Sequence, residues 1–263
     1  MKKTNFLLSM LSMVMAAMLS VQLTSCGDDD KKDPGTINPK ESIGAFVTKI
    51  SYDGGTLMSM TYDSQSRLTR MDFSTKSYVT ISYGSTLTIT DNEEGITYTA
   101  ELNSKGYISS MSGQDGDGYS ASISCDYDNE GHLLKMSVRG NDAGDVYTST
   151  IEHTWNNGLL TRVSINSSED GNTYNATMVY GDYENKQKQF FYGQPMYDNF
   201  VCALYAAGLV GVMNNKLPVE MQGTGEGGSQ EKASFSYTFN DNGTIKTQTQ
   251  TQNGRSVDLS YSY

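Results

Sequence analysis

Few residues of this chain have the types and spacing for chemistry. Gly223-Thr224-Gly225-Glu226-Gly227-Gly228 carries the glycine spacing of a dinucleotide-binding loop. That loop works between a strand and a helix N-terminus, which holds the pyrophosphate. Here the polar stretch Ser229 to Phe239 follows and reads as strand, so a plain flexible loop is expected. Of the two histidines, His132 stands beside a turn and is expected to be exposed. His153 alternates with Ile151 and Trp155 and is expected to point inward, bonded to a neighbour. A catalytic imidazole needs a nucleophile and an orienting acid, and no Gly-x-Ser-x-Gly elbow is present. Asp115 and Asp117 offer two carboxylates where calcium takes six to eight oxygens, so that segment reads as a solvated turn. A glycosidase pair would need two carboxyl groups about 5 or about 6.5–9.5 Å apart, but nearly all the acids fall in turns or near the N-terminus. Cys125 and Cys202 read as buried free thiols, although a disulfide between them is permitted. No catalytic, cofactor-binding or metal-ligating residue is assigned, and no cofactor is expected.

What organises the chain is a turn. Tyr127-Asp128-Asn129-Glu130-Gly131-His132-Leu133 returns, with changes, at Tyr62–Leu68, Leu102–Ile108 and Phe239–Ile245, and in shorter form at Tyr52–Leu57 and Trp155–Leu159. Asp and Asn bond their own backbone in turns, and Gly takes the left-handed conformation without a Cβ clash. A four-residue loop, Asp128 to Gly131, sets Tyr127 opposite His132, Cys125 opposite Leu134 and Ile123 opposite Met136, with the apolar residues on one side. The same register suits Met58, Met60 and Tyr62 against Thr69, Met71 and Phe73. A three-residue loop after Trp155 sets Ile151 opposite Val163. From Val47 to Ile165, alternating Tyr, Thr, Ser, Val, Ile and Met broken by turns every 8 to 14 residues or so argue for an antiparallel meander.

The N-terminus is different. Met1-Lys2-Lys3 precedes an apolar run from Phe6 to about Leu23, the pattern of a secretory signal. Leu23-Thr24-Ser25-Cys26 resembles the bacterial lipobox, which implies cleavage after residue 25 and acylation of Cys26. Acyl chains bury CH₂ groups at roughly 0.8 kcal/mol each, so the outer membrane becomes a partner through Cys26. Residues 26–42, with Asp28-Asp29-Asp30, Pro34 and Pro39, read as a disordered acidic tether. The acidic run resembles the export signal of surface lipoproteins in Bacteroidota. Removing residues 1–25 takes away Lys2 and Lys3 and no acid, so the net charge moves from −11 to −13. An acidic body argues against nucleic acid as a partner.

Residues 43–263 read as one mainly β domain: a curved sheet or partly open barrel of hairpins, with one buried helix near 199–213. That run carries no charge, and at about 22 Å it is too short for a bilayer core of about 30 Å. Asp198 fits its N-cap, and Leu217-Pro218 fits its end.

Two resemblances follow. Tyr62–Leu68 and Tyr127–Leu133 are similar to the tyrosine-aspartate repeats of the Rhs and teneurin family. The whole layout, with Tyr180-Gly181-Asp182-Tyr183-Glu184-Asn185, the Ala203–Val212 run and Leu217-Pro218, resembles a lipoprotein domain of unknown function from gut Bacteroidales. That resemblance implies fold and location and no activity. The functional reading is a lipid-anchored envelope protein, facing the cell exterior, that binds a glycan or protein without enzymatic chemistry. Two alternatives stay open. One is a carrier holding an apolar ligand between the sheet and the helix, lined by Met58, Met60, Met71, Met111 and Met136. The other is a hydrolase with an unrecognised carboxylate pair.

Overall fold

The computed structural model describes residues 46–168, 173–185, 199–224 and 230–263. The signal segment, Cys26, the acidic tether, Asp198 and the loop 225–229 lie outside the described residues. The strands are β1 (Lys49–Tyr52), β2 (Gly55–Tyr62), β3 (Leu68–Asp72), β4 (Tyr78–Tyr83), β5 (Leu87–Asp91), β6 (Ile96–Leu102), β7 (Ile108–Gln114) and β8 (Tyr119–Tyr127). They continue as β9 (Leu133–Asp142), β10 (Asp145–Asn156), β11 (Leu159–Ser167), β12 (Thr173–Glu184), β13 (Lys216–Thr224), β14 (Gln230–Phe239), β15 (Ile245–Gln252) and β16 (Arg255–Ser262). A helix, α1 (Asn199–Ala206), stands between β12 and β13. Each strand pairs antiparallel with the next, and β1 pairs with β16 from Lys49↔Ser262 to Tyr52↔Leu259. The mainly β meander is as expected, and it closes completely: the sheet is a barrel without an open edge.

Alternation sorts the side chains. Met58, Met60, Met71, Met111 and Met136 all point inward and are buried. Thr97, Thr99 and Glu101 point out of β6, Ser122, Ser124 and Asp126 out of β8, and Ser256, Asp258 and Ser260 out of β16. A barrel that crosses a membrane turns an apolar band outward and polar residues inward. This barrel has the opposite polarity.

The four full-length turns share one rim and one conformation. In three of them Oδ1 of the first residue accepts backbone N–H groups two and four residues on: Asp63 from Gln65 and Arg67, Asn103 from Lys105 and Tyr107, Asp128 from Glu130 and His132. The fourth residue has positive φ, at Ser66, Gly106, Gly131 and, in the Asn240 turn, Gly243. The first N–H bonds the fifth carbonyl, so the loop has five residues, and a bulge follows. Register therefore differs from expectation by two positions: Met60 faces Met71, Cys125 faces Met136 and Ile151 faces Ile165. A shift of two keeps each side chain on its face, which is why the inward set was still right. Leu134 is the exception; it is the extra residue of its bulge and is exposed.

The bulges are tied together by aromatic side chains. The Tyr127 hydroxyl donates to the Ile108 carbonyl at 2.7 Å, and the Trp155 indole N–H to Leu133 at 2.8 Å. Tyr180 donates to Leu160 and Tyr263 to Ile245, at 2.7 and 2.8 Å. Each acceptor immediately precedes the extra residue of a bulge. Tyr127→Phe leaves one such carbonyl without its donor, which costs about 1–3 kcal/mol. Guanidinium unfolding of the variant measures this, and an unchanged midpoint would show that the bond contributes nothing.

Helix α1 runs through the lumen. At one rim Asn199 Nδ2 donates to Ser77 Oγ at 3.1 Å. Further in, the Phe200 and Tyr98 rings lie 4.9 Å apart and the Tyr205 hydroxyl meets His153 Nε2 at 3.3 Å. At the hairpin rim Leu209 and Val212 bond the backbone of Ile108 and Gly131. The helix ends at Ala206, short of the expected 213. Gly208 takes φ 68°, its N–H bonds Tyr205 O, and Leu209 N–H bonds Leu204 O. This is a Schellman cap with its Leu204–Leu209 apolar pair. Leu217-Pro218 falls in β13 and does not terminate the helix.

Candidate functional site

With the lumen occupied, the described hollows lie on the outside. Two adjoining ones, of about 540 and 530 Å³, share Thr99, Ser112, Ser122 and Arg139. Register makes this a ladder. Thr99, Ser112, Ser122, Arg139 and Thr148 stand directly opposite one another across β6 to β10. A second row, Glu101, Ser110, Ser124, Ser137 and Thr150, runs beside it. Adjacent strands lie about 4.8 Å apart, so each row presents polar side chains at that pitch over four strand intervals, all of them hydroxyls except Arg139 in the first row and Glu101 in the second.

The hollow has a cause on the inner face. Behind the first row lie Gly113, Ala121 and Gly140, flanked by Tyr98 and Tyr147. A Cβ on Gly140 would sit 2.0 Å from Tyr147 Cζ, and one on Gly113 would sit 2.5 Å from Thr97 O. Small residues on both faces thin the wall here. Gly140→Ala must displace the Tyr147 ring, at about 1–3 kcal/mol of overpacking; thermal unfolding would show it, and a melting point equal to wild type would contradict it.

The trough is lined by hydrogen-bonding groups. Its hydroxyls donate and accept, Ser110 Oγ already donating to Glu101 Oε2 at 3.2 Å. Arg139 adds a planar guanidinium, suited to paired oxygens, and has no ion-pair partner among the described residues. No histidine or cysteine lines it.

The sequence candidates fall elsewhere. His153 is buried against Tyr205, and burial pushes its pKa down to about 4. His132 is buried, contrary to expectation; its ring stacks on Trp155 at 4.4 Å and Nδ1 lies 2.8 Å from Asp128 Oδ2. Asp115 Oδ1 accepts the N–H groups of Asp117 and Tyr119 and so closes its own turn. Cys125 is buried and Cys202 half-buried; neither is in a disulfide, and burial pushes Cys125 up to about 12. Asp91 and Glu94 have carboxyls raised by burial, but they share one turn, where Asp91 Oδ1 accepts the Glu93 and Glu94 N–H groups. Sequence reading missed the trough entirely. Its signal was Gly113, Ala121 and Gly140 at inward positions opposite a run of outward serines.

A family model described as a domain of unknown function (DUF4595) with porin-like fold matches residues 50–247. The chain belongs to this family. Among solved structures, a porin-like protein from Bacteroides uniformis ATCC 8492 superposes with a TM-score of 0.61 at 20% identity, covering 82% of this chain and 97% of that one. A porin-like protein from Bacteroides vulgatus ATCC 8482 gives 0.58 at 15% identity, covering 83% and 98%. At such identities the likeness is one of fold. No curated protein matches the sequence. In this DUF4595 barrel the porin-like feature is the closed meander; the polar outer wall and the lumen helix set it apart from a pore.

Proposed function

We propose that this member of the family is a lipid-anchored envelope protein, held at the outer-membrane surface by acyl chains on Cys26 and facing the cell exterior. On this reading the barrel stands in water on the 26–42 tether and binds a glycan, without turnover, along the trough across β6 to β10. The observation that carries the reading is the hydroxyl ladder with Arg139 on a concave, solvent-facing wall. Sugars are recognised by such donor and acceptor arrays. Tyrosines that would stack on a sugar are largely spent in the core and the rim, so the hydrogen bonds carry the specificity. Helix α1 occupies the lumen that a carrier would use, and among the described residues the acids raised by burial, Asp91 and Glu94, share a single turn.

The test is a glycan panel probed with the chain lacking residues 1–26. Ser122 and Arg139 are exposed, so Ser122→Trp, which fills the trough, and Arg139→Ala leave the fold intact. Each is expected to abolish retention of any glycan that the wild-type chain holds. Equal retention by wild type and Ser122→Trp would place binding elsewhere, and capture of a protein with no glycan retained would replace the glycan.

A further inference from the structure

The Asp128 turn carries more than its sister turns need. In the Asp63 turn the fifth residue, Arg67, bonds Asp63 Oδ2 through Nε at 2.8 Å and lies over the Tyr83 ring at 4.5 Å. His132 occupies the same position, bonds Asp128 Oδ2 and stacks on Trp155. A cation clip and an aromatic neighbour therefore suffice to close this turn, and arginine supplies them. The third position is Gln65, Lys105 and Asn242 in the sisters, so folding demands no carboxylate there. Only the Asp128 copy combines an imidazole at position five with Glu130 at position three.

Together they make a donor set. His132 Nδ1 lies 2.8 Å from Asp128 Oδ2 and 3.6 Å from Glu130 Oε2, and the three atoms lie within 4.8 Å of one another. Zinc binds imidazole nitrogen and carboxylate oxygen at about 2.0–2.2 Å, and neighbouring ligands around a tetrahedral ion are separated by about 3.3–3.6 Å at that bond length. The His132–Glu130 separation already fits, the His132–Asp128 pair opens by about half an ångström as the ion replaces the proton between them, and Glu130, whose side chain is 77% exposed, is free to swing. We infer that Asp128, Glu130 and His132 form a mononuclear site for a divalent first-row transition ion of the zinc–copper class at the hairpin rim. One nitrogen and two oxygens suit such an ion better than calcium or magnesium, which prefer oxygen alone. On binding, the neutral imidazole carries its proton on Nε2 and gives the Nδ1 lone pair to the ion. Asp128 Oδ1 keeps its backbone bonds, so the turn stays closed. Three protein ligands leave coordination positions for solvent or an incoming ligand. The site is on the rim, not in the trough, so it stands or falls independently of glycan binding.

Trp155, the only tryptophan of the chain, reports on the site because it stacks on the ligand ring. Copper(II) chloride titrated into the chain lacking residues 1–26 is expected to quench its fluorescence saturably, one ion per chain, with zinc chloride reversing the quench only in large excess, since such a site holds copper more tightly. His132→Arg restores the clip of the sister turn and removes the nitrogen ligand, so it is expected to fold and lose the quench. Glu130→Gln, at an exposed position, is expected to weaken the apparent affinity at least about tenfold. Unsaturable quenching, or saturable quenching that persists in His132→Arg or is unchanged in Glu130→Gln, would overturn the site.

Discussion

Leu204→Ala is expected to lower the unfolding free energy by about 3–5 kcal/mol, the range for emptying a large buried side chain into a site that cannot collapse. Leu204 is 0% exposed. It faces the core from α1 and makes the apolar contact of the Schellman cap, so its loss opens a void in the lumen and loosens the turn that leads to the rim. The wall around it is a closed ring of paired strands and cannot move inward without breaking register. Leu134→Ala is the matched control: the same residue change at a position that is 39% exposed should shift stability by less than about 0.5 kcal/mol. Guanidinium unfolding of both variants checks the pair. Equal effects would mean that the helix is not part of the folded core.

Acid should weaken the fold through His153. Its folded pKa is lowered from 6.5 to about 4 by burial. Between those values the unfolded chain binds a proton that the folded chain refuses. The stability from neutral His153 is therefore complete above about pH 6.5 and is lost as pH falls towards 4. At about 1.4 kcal/mol per pH unit, the loss over that window is on the order of 3 kcal/mol. His153→Gln keeps a hydrogen-bonding partner for Tyr205 and does not titrate. The difference in stability between wild type and variant, followed from pH 7 to pH 4.5, should shrink steadily. A constant difference would show that His153 accepts its proton in the folded state as easily as in water.

Much of the fold was legible because its rules are local. Period-two alternation put Met58, Met60, Met71, Ile123, Cys125 and Met136 on the inward face, and Asp-x-x-Gly marked the turns. The registers came out two residues short, one from the length of the loop and one from a bulge, which leaves no local signature: Leu134 looks like any apolar strand residue, and only the pairing of Tyr127 with Leu133 reveals it as the extra one. The end of the helix was legible and was overread. Gly208 is the residue that takes the left-handed cap, while the apolar run to Met213 continues as buried extended chain. His132 was misplaced for a different reason. Proximity to a turn suggests exposure, but the Trp155 ring from the next hairpin covers it. Closure of β1 on β16 and the trough across β6 to β10 depend on residues far apart in sequence, and neither follows from any single stretch.

This porin-like barrel is turned outside in: its outer wall is polar and a helix fills its lumen. The chain lacking residues 1–26, prepared without detergent, tests it directly by light scattering followed by conductance recording across a planar bilayer. A monodisperse particle that gives no conductance steps is the expected result. A chain that aggregates until detergent is added and then conducts ions would contradict it.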